Sequence, residues 1–120
     1  MPKTTTPTPE ELPRAAREVT RERAFAGVQQ ELLAEMGSAF ARANEKVERA
    51  WAELDRCGRA LVRPATPEAR RDAAIRFNEQ REKARVALWE LRVHREALGI
   101  RDHRAIDRAW VLPPPANVAD

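Results

Sequence analysis

Between Met36 and Leu61 the positions Met36, Phe40, Ala43, Val47, Ala50, Leu54, Cys57 and Leu61 recur at alternating steps of four and three. An α-helix brings such positions onto one side, and a seam of this period sustained over more than three repeats marks helices lying side by side. Phe25, Val28 and Leu32 lead into it at steps of three, four and four. The far side carries Glu45, Glu48, Ala52 and Arg56, a solvated face. Gly37 and Gly58 each weaken the helix by about 1 kcal/mol relative to alanine, but neither is followed by proline. One helix is expected over about 20–62, more than about 60 Å long at about 1.5 Å per residue.

Arg63-Pro64-Ala65-Thr66-Pro67-Glu68 ends that helix before Pro64 and starts another, with Thr66 as cap and Pro67 in the first turn. So short a connection forces antiparallel neighbours. The second helix, about 67–98, repeats the seam at Ala73, Phe77, Gln80, Ala84, Ala87, Leu91, His94 and Leu98. Leu98-Gly99-Ile100 closes it, Gly99 taking the left-handed conformation. Asp102 then caps a short helix through about Trp110, and Val111-Leu112-Pro113-Pro114-Pro115 is extended, polyproline-like chain. Folding about residue 65 sets Met36 against His94, Phe40 against Leu91, Ala43 against Ala87, Val47 against Ala84, Leu54 against Phe77 and Cys57 against Ala73. One fold point brings both seams into register. The expected fold is all-α: a long antiparallel helical hairpin, coiled-coil-like, with a short C-terminal helix, forming a helical bundle by self-association.

The organisation that follows is a Thr/Pro-rich lead-in over 1–19, flexible or a short helix, then the hairpin domain over 20–110, then a proline-rich tail over 111–120. Thr8-Pro9-Glu10-Glu11 has the form of a helix start, but Pro13 sits where a helix interior would reject it. Of 120 residues 22 are alanine, while Leu, Ile, Val and Phe together number 23, a lean supply for a core. Two helices alone bury little, so self-association is favoured.

Function classes fall away by what the residues lack. The single cysteine, Cys57, rules out an internal disulfide framework and an all-thiolate zinc site, and suits a reducing compartment. The amino terminus has no apolar signal segment, and no run approaches the 18 apolar residues of a membrane span. There is no glycine-rich phosphate loop, nucleophile elbow or paired-histidine metal motif. The expectation is a cytoplasmic, non-enzymatic protein with no catalytic residues, no metal site and no cofactor.

Two surfaces stand out. Val86, Trp89, Val93 and Ala97 form a second apolar stripe on helix two, away from its seam, and a helix apolar on two faces is covered on both. The cover is the 102–112 segment folding back with Ile106, Trp110 and Leu112, a second copy of the hairpin, or a different protein. Val86, Trp89, Val93 and Trp110 are therefore the candidate partner-binding residues, the tryptophans as anchors. The second surface is the hairpin tip. Residues 55–76 hold six arginines against three acids, an excess equal to the whole net charge of +3. Arg59, Arg63, Arg70 and Arg71 are candidate anion-binding residues, for phosphate, carboxylate or nucleic acid. A solvated turn is the preferred reading, because nucleic-acid binding usually brings a more basic domain or an aromatic platform. His94 is expected to be a packed, hydrogen-bonded seam residue, and Cys57 buried packing without a histidine to activate it.

The run Arg95-Glu96-Ala97-Leu98-Gly99-Ile100-Arg101-Asp102-His103, following the long amphipathic stretch Leu32–Leu54, resembles a bacterial family of short helical proteins of unassigned function. In that family an Arg-Glu-x-x-Gly-Leu-Arg-Asp-His run closes the second helix, and a tail with a single proline follows. The likeness covers about residues 28–108; the lead-in and the triple proline depart from it. It implies helical architecture and no activity. It also directs attention to Arg95, Arg101, Asp102 and His103 around Gly99, either as a structural knot or as an anion or partner site.

Overall fold

The computed structural model describes Glu11 and residues 13–118, and among these it contains three helices and no strand. They are α1 (Arg14–Arg59), α2 (Pro67–Ala97) and α3 (Arg104–Ala109). The chain divides between Glu35 and Met36 into two compact units.

In the first unit α1 begins at Arg14, about six residues earlier than the sequence pattern suggested. Pro13 stands just outside the helix, where its missing N–H costs nothing, and its carbonyl accepts from the Arg17 N–H at 2.9 Å. The residue that looked like a breaker is the boundary. Arg14 and Glu18 pair at 3.7 Å and the Thr20 hydroxyl donates to the Ala16 carbonyl at 2.9 Å. The helix start expected at Thr8 and Pro9 lies outside the described residues.

In the second unit the hairpin forms in the expected register. Ala43, Val47, Leu54, Ala73, Phe77, Ala84, Ala87 and Leu91 are all buried, with Phe40 and Cys57 packed against them. Gln80 Nε2 donates to the Ala50 carbonyl at 3.2 Å, tying the seam at a pair of positions that sum to 130. Half of the buried seam residues are alanine, and Gly58 lies beneath Phe77, where a Cβ would sit 3.6 Å from the ring. Small residues on both sides let two helices approach closely, so few large side chains are needed.

The helix ends follow from local chemistry. α1 stops at Arg59, short of the expected 62, because its last turn tightens: Leu61 N–H donates to Gly58 at 3.1 Å and Val62 N–H to Arg59 at 3.2 Å. Thr66 caps α2 by accepting from Ala69 N–H at 3.0 Å, with Pro67 at the first position. At the other end Gly99 takes φ 85°, and Ile100 N–H reaches Arg95 while Gly99 N–H reaches Glu96, both at 2.9 Å. The α3 cap differs from expectation. His103 occupies the N-cap position, while Asp102 Oδ1 accepts from Arg104 N–H at 3.1 Å.

The C-terminal segment is a docked strap. Ile106 of α3 is buried in the core, and Trp110, Leu112 and Ala116 pack against it. The Trp51 indole N–H donates to the Val111 carbonyl at 3.3 Å, and Arg81 Nε donates to the Pro113 carbonyl at 2.7 Å. Asn78 makes two bonds with one residue, donating to the Ala116 carbonyl at 2.9 Å and accepting its N–H at 2.8 Å. Arg92 pairs with Asp107. Pro113–Pro115 carry no N–H, so the strap has few donors to satisfy and little backbone freedom to lose on docking.

The strap does fold back, but not over the apolar stripe. It runs along the side of α2 marked by Asn78, Arg81, Leu88 and Arg92, about 100° around the helix from Val86, Trp89 and Val93. Hydrogen-bonding side chains and the ring of Trp51 fix its course.

Leu54→Ala or Phe77→Ala is expected to destabilise the fold by about 2–5 kcal/mol, seen as a lower thermal midpoint. Unchanged melting in both would place the helices in another register. Asn78→Ala removes both strap bonds and leaves half-buried backbone groups unpaired, at an expected cost of about 1–3 kcal/mol. Hydrogen exchange at Ala116 N–H reads the same event, and protection equal to wild type would mean that Asn78 does not hold the strap.

Candidate functional site

α2 places Val86, Trp89 and Val93 on consecutive turns of one face, and the strap leaves that face open. The three are 38%, 61% and 42% exposed, large fractions for apolar side chains. Ile75 lies on the same face at lower exposure, 37%. Beside Val86 a groove of about 440 Å³ opens between α1 and α2, lined by Ala50, Ala87, the cations Lys46, Arg49 and Lys83, and the acid Glu82. Lys46 pairs with Glu90 at 2.9 Å and Arg49 with Glu45 at 3.5 Å, while Lys83 has no partner among the described residues. An apolar strip whose edge carries mostly paired charges can receive a protein surface that is apolar in the middle, with Lys83 free to meet an acid at one edge.

Trp110 does not join this face. Its ring packs on Trp51, with centroids 5.5 Å apart and planes inclined by 56°, and it is half-buried. A tilted aromatic pair of this kind stabilises by about 0.5–1.5 kcal/mol beyond its buried area. Trp110 is therefore a strap anchor, and of the four candidate partner-binding residues Val86, Trp89 and Val93 remain together. Trp51, which lies off the α1 seam, is buried by the strap.

The arginine tip is open but not convergent. Arg59, Arg63, Arg70 and Arg71 are exposed, and none has an ion-pair partner among the described residues. A depression of about 730 Å³ at the tip is lined by the Pro64–Glu68 turn, Arg70, Arg71 and Val118. Arg59 and Arg63 are not part of it, and Glu68 supplies an opposing charge. Arg56 is taken by Glu53 at 3.0 Å. Gripping one phosphate requires donors aimed at one point, and two exposed guanidinium groups beside a carboxylate are a weak version of that.

The turn around Gly99 is a closed hydrogen-bonded knot. Arg95 donates to the Asp102 carbonyl at 2.9 Å and to His103 Nδ1 at 3.3 Å. With Nδ1 accepting, the proton of a neutral His103 sits on Nε2, which donates to Glu96 Oε1 at 3.1 Å. Asp102 pairs with Arg104 at 2.7 Å, and the guanidinium and N–H of Arg104 hold its carboxyl below the usual carboxylate range. Every group but Arg101 is used locally, which favours the structural reading of this run.

His94 is half-buried and lines a small cleft of about 210 Å³ with Arg42, Lys46 and Glu90; its imidazole makes no hydrogen bond among the described residues, contrary to expectation. Cys57 is half-buried, its thiol 3.9 Å from a Glu53 carboxylate oxygen. No group of three metal-ligating side chains gathers among the described residues, and no helix there is long and apolar enough to cross a membrane. The residues missed in the sequence are Asn78, Arg81 and Lys83. Each is one more polar residue in a polar-rich helix, and no spacing separates a strap clamp from a solvated side chain.

The chain matches no family model, and no curated protein or solved structure shows significant similarity to it.

Replacing Arg63, Arg70 and Arg71 with glutamine is expected to change stability by no more than about 0.5 kcal/mol, as for surface substitutions generally. Gel shifts with duplex and single-stranded oligonucleotides at two salt concentrations should show no binding for wild type or variant. Tight, salt-sensitive binding that disappears in the triple variant would make the tip a phosphate-binding site.

Proposed function

We propose that this chain is a non-enzymatic helical interaction protein. It docks onto another protein chain, a second copy or a component of a larger assembly, through Val86, Trp89 and Val93 of α2. The observation that carries this reading is the separation of strap and stripe. The chain's own spare apolar segment, with Ile106, Trp110 and Leu112, is used elsewhere, and three large apolar side chains stay in water on one helix face. Apolar side chains grouped on consecutive turns and backed by a rigid hairpin are the usual form of a helix-face docking site, with the aromatic residue as anchor. The lone thiol and the likeness to a bacterial helical family suit a bacterial cytoplasmic setting. A second reading, an anion or nucleic-acid module, rests on Arg70 and Arg71 at the tip depression; its other two arginines lie outside it.

Val86→Glu or Val93→Glu is expected to abolish association through this face while leaving helix content intact, because neither side chain lies in the intramolecular seam. Light scattering of wild type and variants gives the masses, and acrylamide quenching of Trp89, in a chain with Trp51 and Trp110 replaced by phenylalanine, reports whether the face is covered. Equal masses together with a fully quenched Trp89 in the native assembly would refute docking here.

A further inference from the structure

We infer that the Arg21–Glu35 stretch of α1 pairs with the same stretch of a second copy of this chain, in antiparallel orientation. This interface is separate from the α2 face and does not depend on it.

Phe25, Val28 and Leu32 are 65%, 62% and 54% exposed, the most open run of large apolar side chains on α1. They are bounded by Arg21 and Glu35, and the five residues Arg21, Phe25, Val28, Leu32 and Glu35 are spaced four, three, four, three. At about 100° per residue all five fall on one side of the helix, within an arc of about 80°. This is a short heptad seam with a cation at one end and an anion at the other.

Outward from Val28 the steps are three and four toward the N-terminus and four and three toward the C-terminus, so the stripe is two-fold symmetric to within one residue, and that near-symmetry selects the occupant. A second copy laid antiparallel, with the two-fold axis at Val28, sets Phe25 against Leu32 of the partner and Leu32 against its Phe25. It sets Arg21 against the partner's Glu35, and Glu35 against the partner's Arg21. The interface closes on itself, as a two-fold interface requires. A parallel copy would stack arginine on arginine and glutamate on glutamate.

The wider charge distribution agrees. Residues 14–23 hold four arginines and two glutamates, whereas residues 24–35 hold Glu31 and Glu35 and no basic residue. Only the antiparallel arrangement lays the basic half of one copy on the acidic half of the other. Neither Arg21 nor Glu35 has an ion-pair partner among the described residues.

The test uses the full-length Val93→Glu chain, in which the α2 face is blocked, so this interface is read alone. Sedimentation over a concentration series is expected to show a dimer. Leu32→Glu in addition should give a monomer with unchanged helix content by circular dichroism. Arg21→Glu should weaken the dimer about tenfold or more by setting glutamate against glutamate, and Glu35→Arg should do the same with arginines. Mixing these two variants restores both complementary pairs and should recover the dimer. A monomeric Val93→Glu chain overturns the inference while leaving the α2 reading intact. So does an Arg21→Glu variant as dimeric as its parent, since a parallel pair is like-charged at that position before and after the change.

Discussion

A seam in which half of the buried residues are alanine brings two helices close together but removes little apolar surface from water, and much else in the second unit answers that shortage. Burial stabilises by about 25 cal/mol per Å² of apolar surface, so Ala43, Ala73, Ala84 and Ala87 supply far less than leucines at the same positions would. Val47, Leu54, Phe77 and Leu91 carry the weight of the seam. The strap adds what the hairpin lacks. Ile106 and the Trp51–Trp110 pair extend the core to a third layer, with Ile106 and Trp110 supplied by α3 and the residue that ends it.

How the strap is held decides what remains free. Had it been attracted by apolar area alone, it would have lain on Val86, Trp89 and Val93. Its backbone carbonyls instead face Trp51, Asn78 and Arg81, donors that water would otherwise occupy. An extended segment with three consecutive prolines cannot satisfy its carbonyls from within, so donors along α2 determine its path. Directional bonds thus act together with burial of Ile106 and Trp110 to set the course of the strap, and the apolar face is left in water.

Much of this was legible in the sequence where one residue type at one spacing has one physical meaning. The seam period, the Pro64–Pro67 stop, the Thr66 cap and the Gly99 turn all belong to that class, and each is found. Pro13 was legible in kind but not in effect, because a proline that breaks a helix and one that begins it differ only in where the helix lies. The candidate site divides in the same way. The exposed α2 stripe follows from periodicity, whereas Trp110's place on Trp51 depends on the direction taken by the strap, which rests on Asn78 and Arg81. Tertiary hydrogen bonds from exposed-looking polar residues leave no periodic trace.

The two apolar surfaces left in water differ in a way that bears on assembly. Most charges flanking the α2 face are satisfied within the chain, Lys46 with Glu90 and Arg85 with Glu82, and Lys83 alone of the groove's cations has no partner among the described residues, so its attraction for a partner is chiefly apolar. The α1 stripe ends in charges that are unpaired among the described residues, Arg21 and Glu35. Exposed charges attract weakly and are screened within about 8 Å at physiological ionic strength. Their contribution lies mainly in orientation, because the wrong alignment sets like charges together. An apolar face with largely neutralised flanks tolerates a range of partners, whereas a near-symmetric stripe with opposite charges at its ends accepts its own copy in one direction. On the proposed reading, specificity for self belongs on α1 and capacity for a different chain on α2.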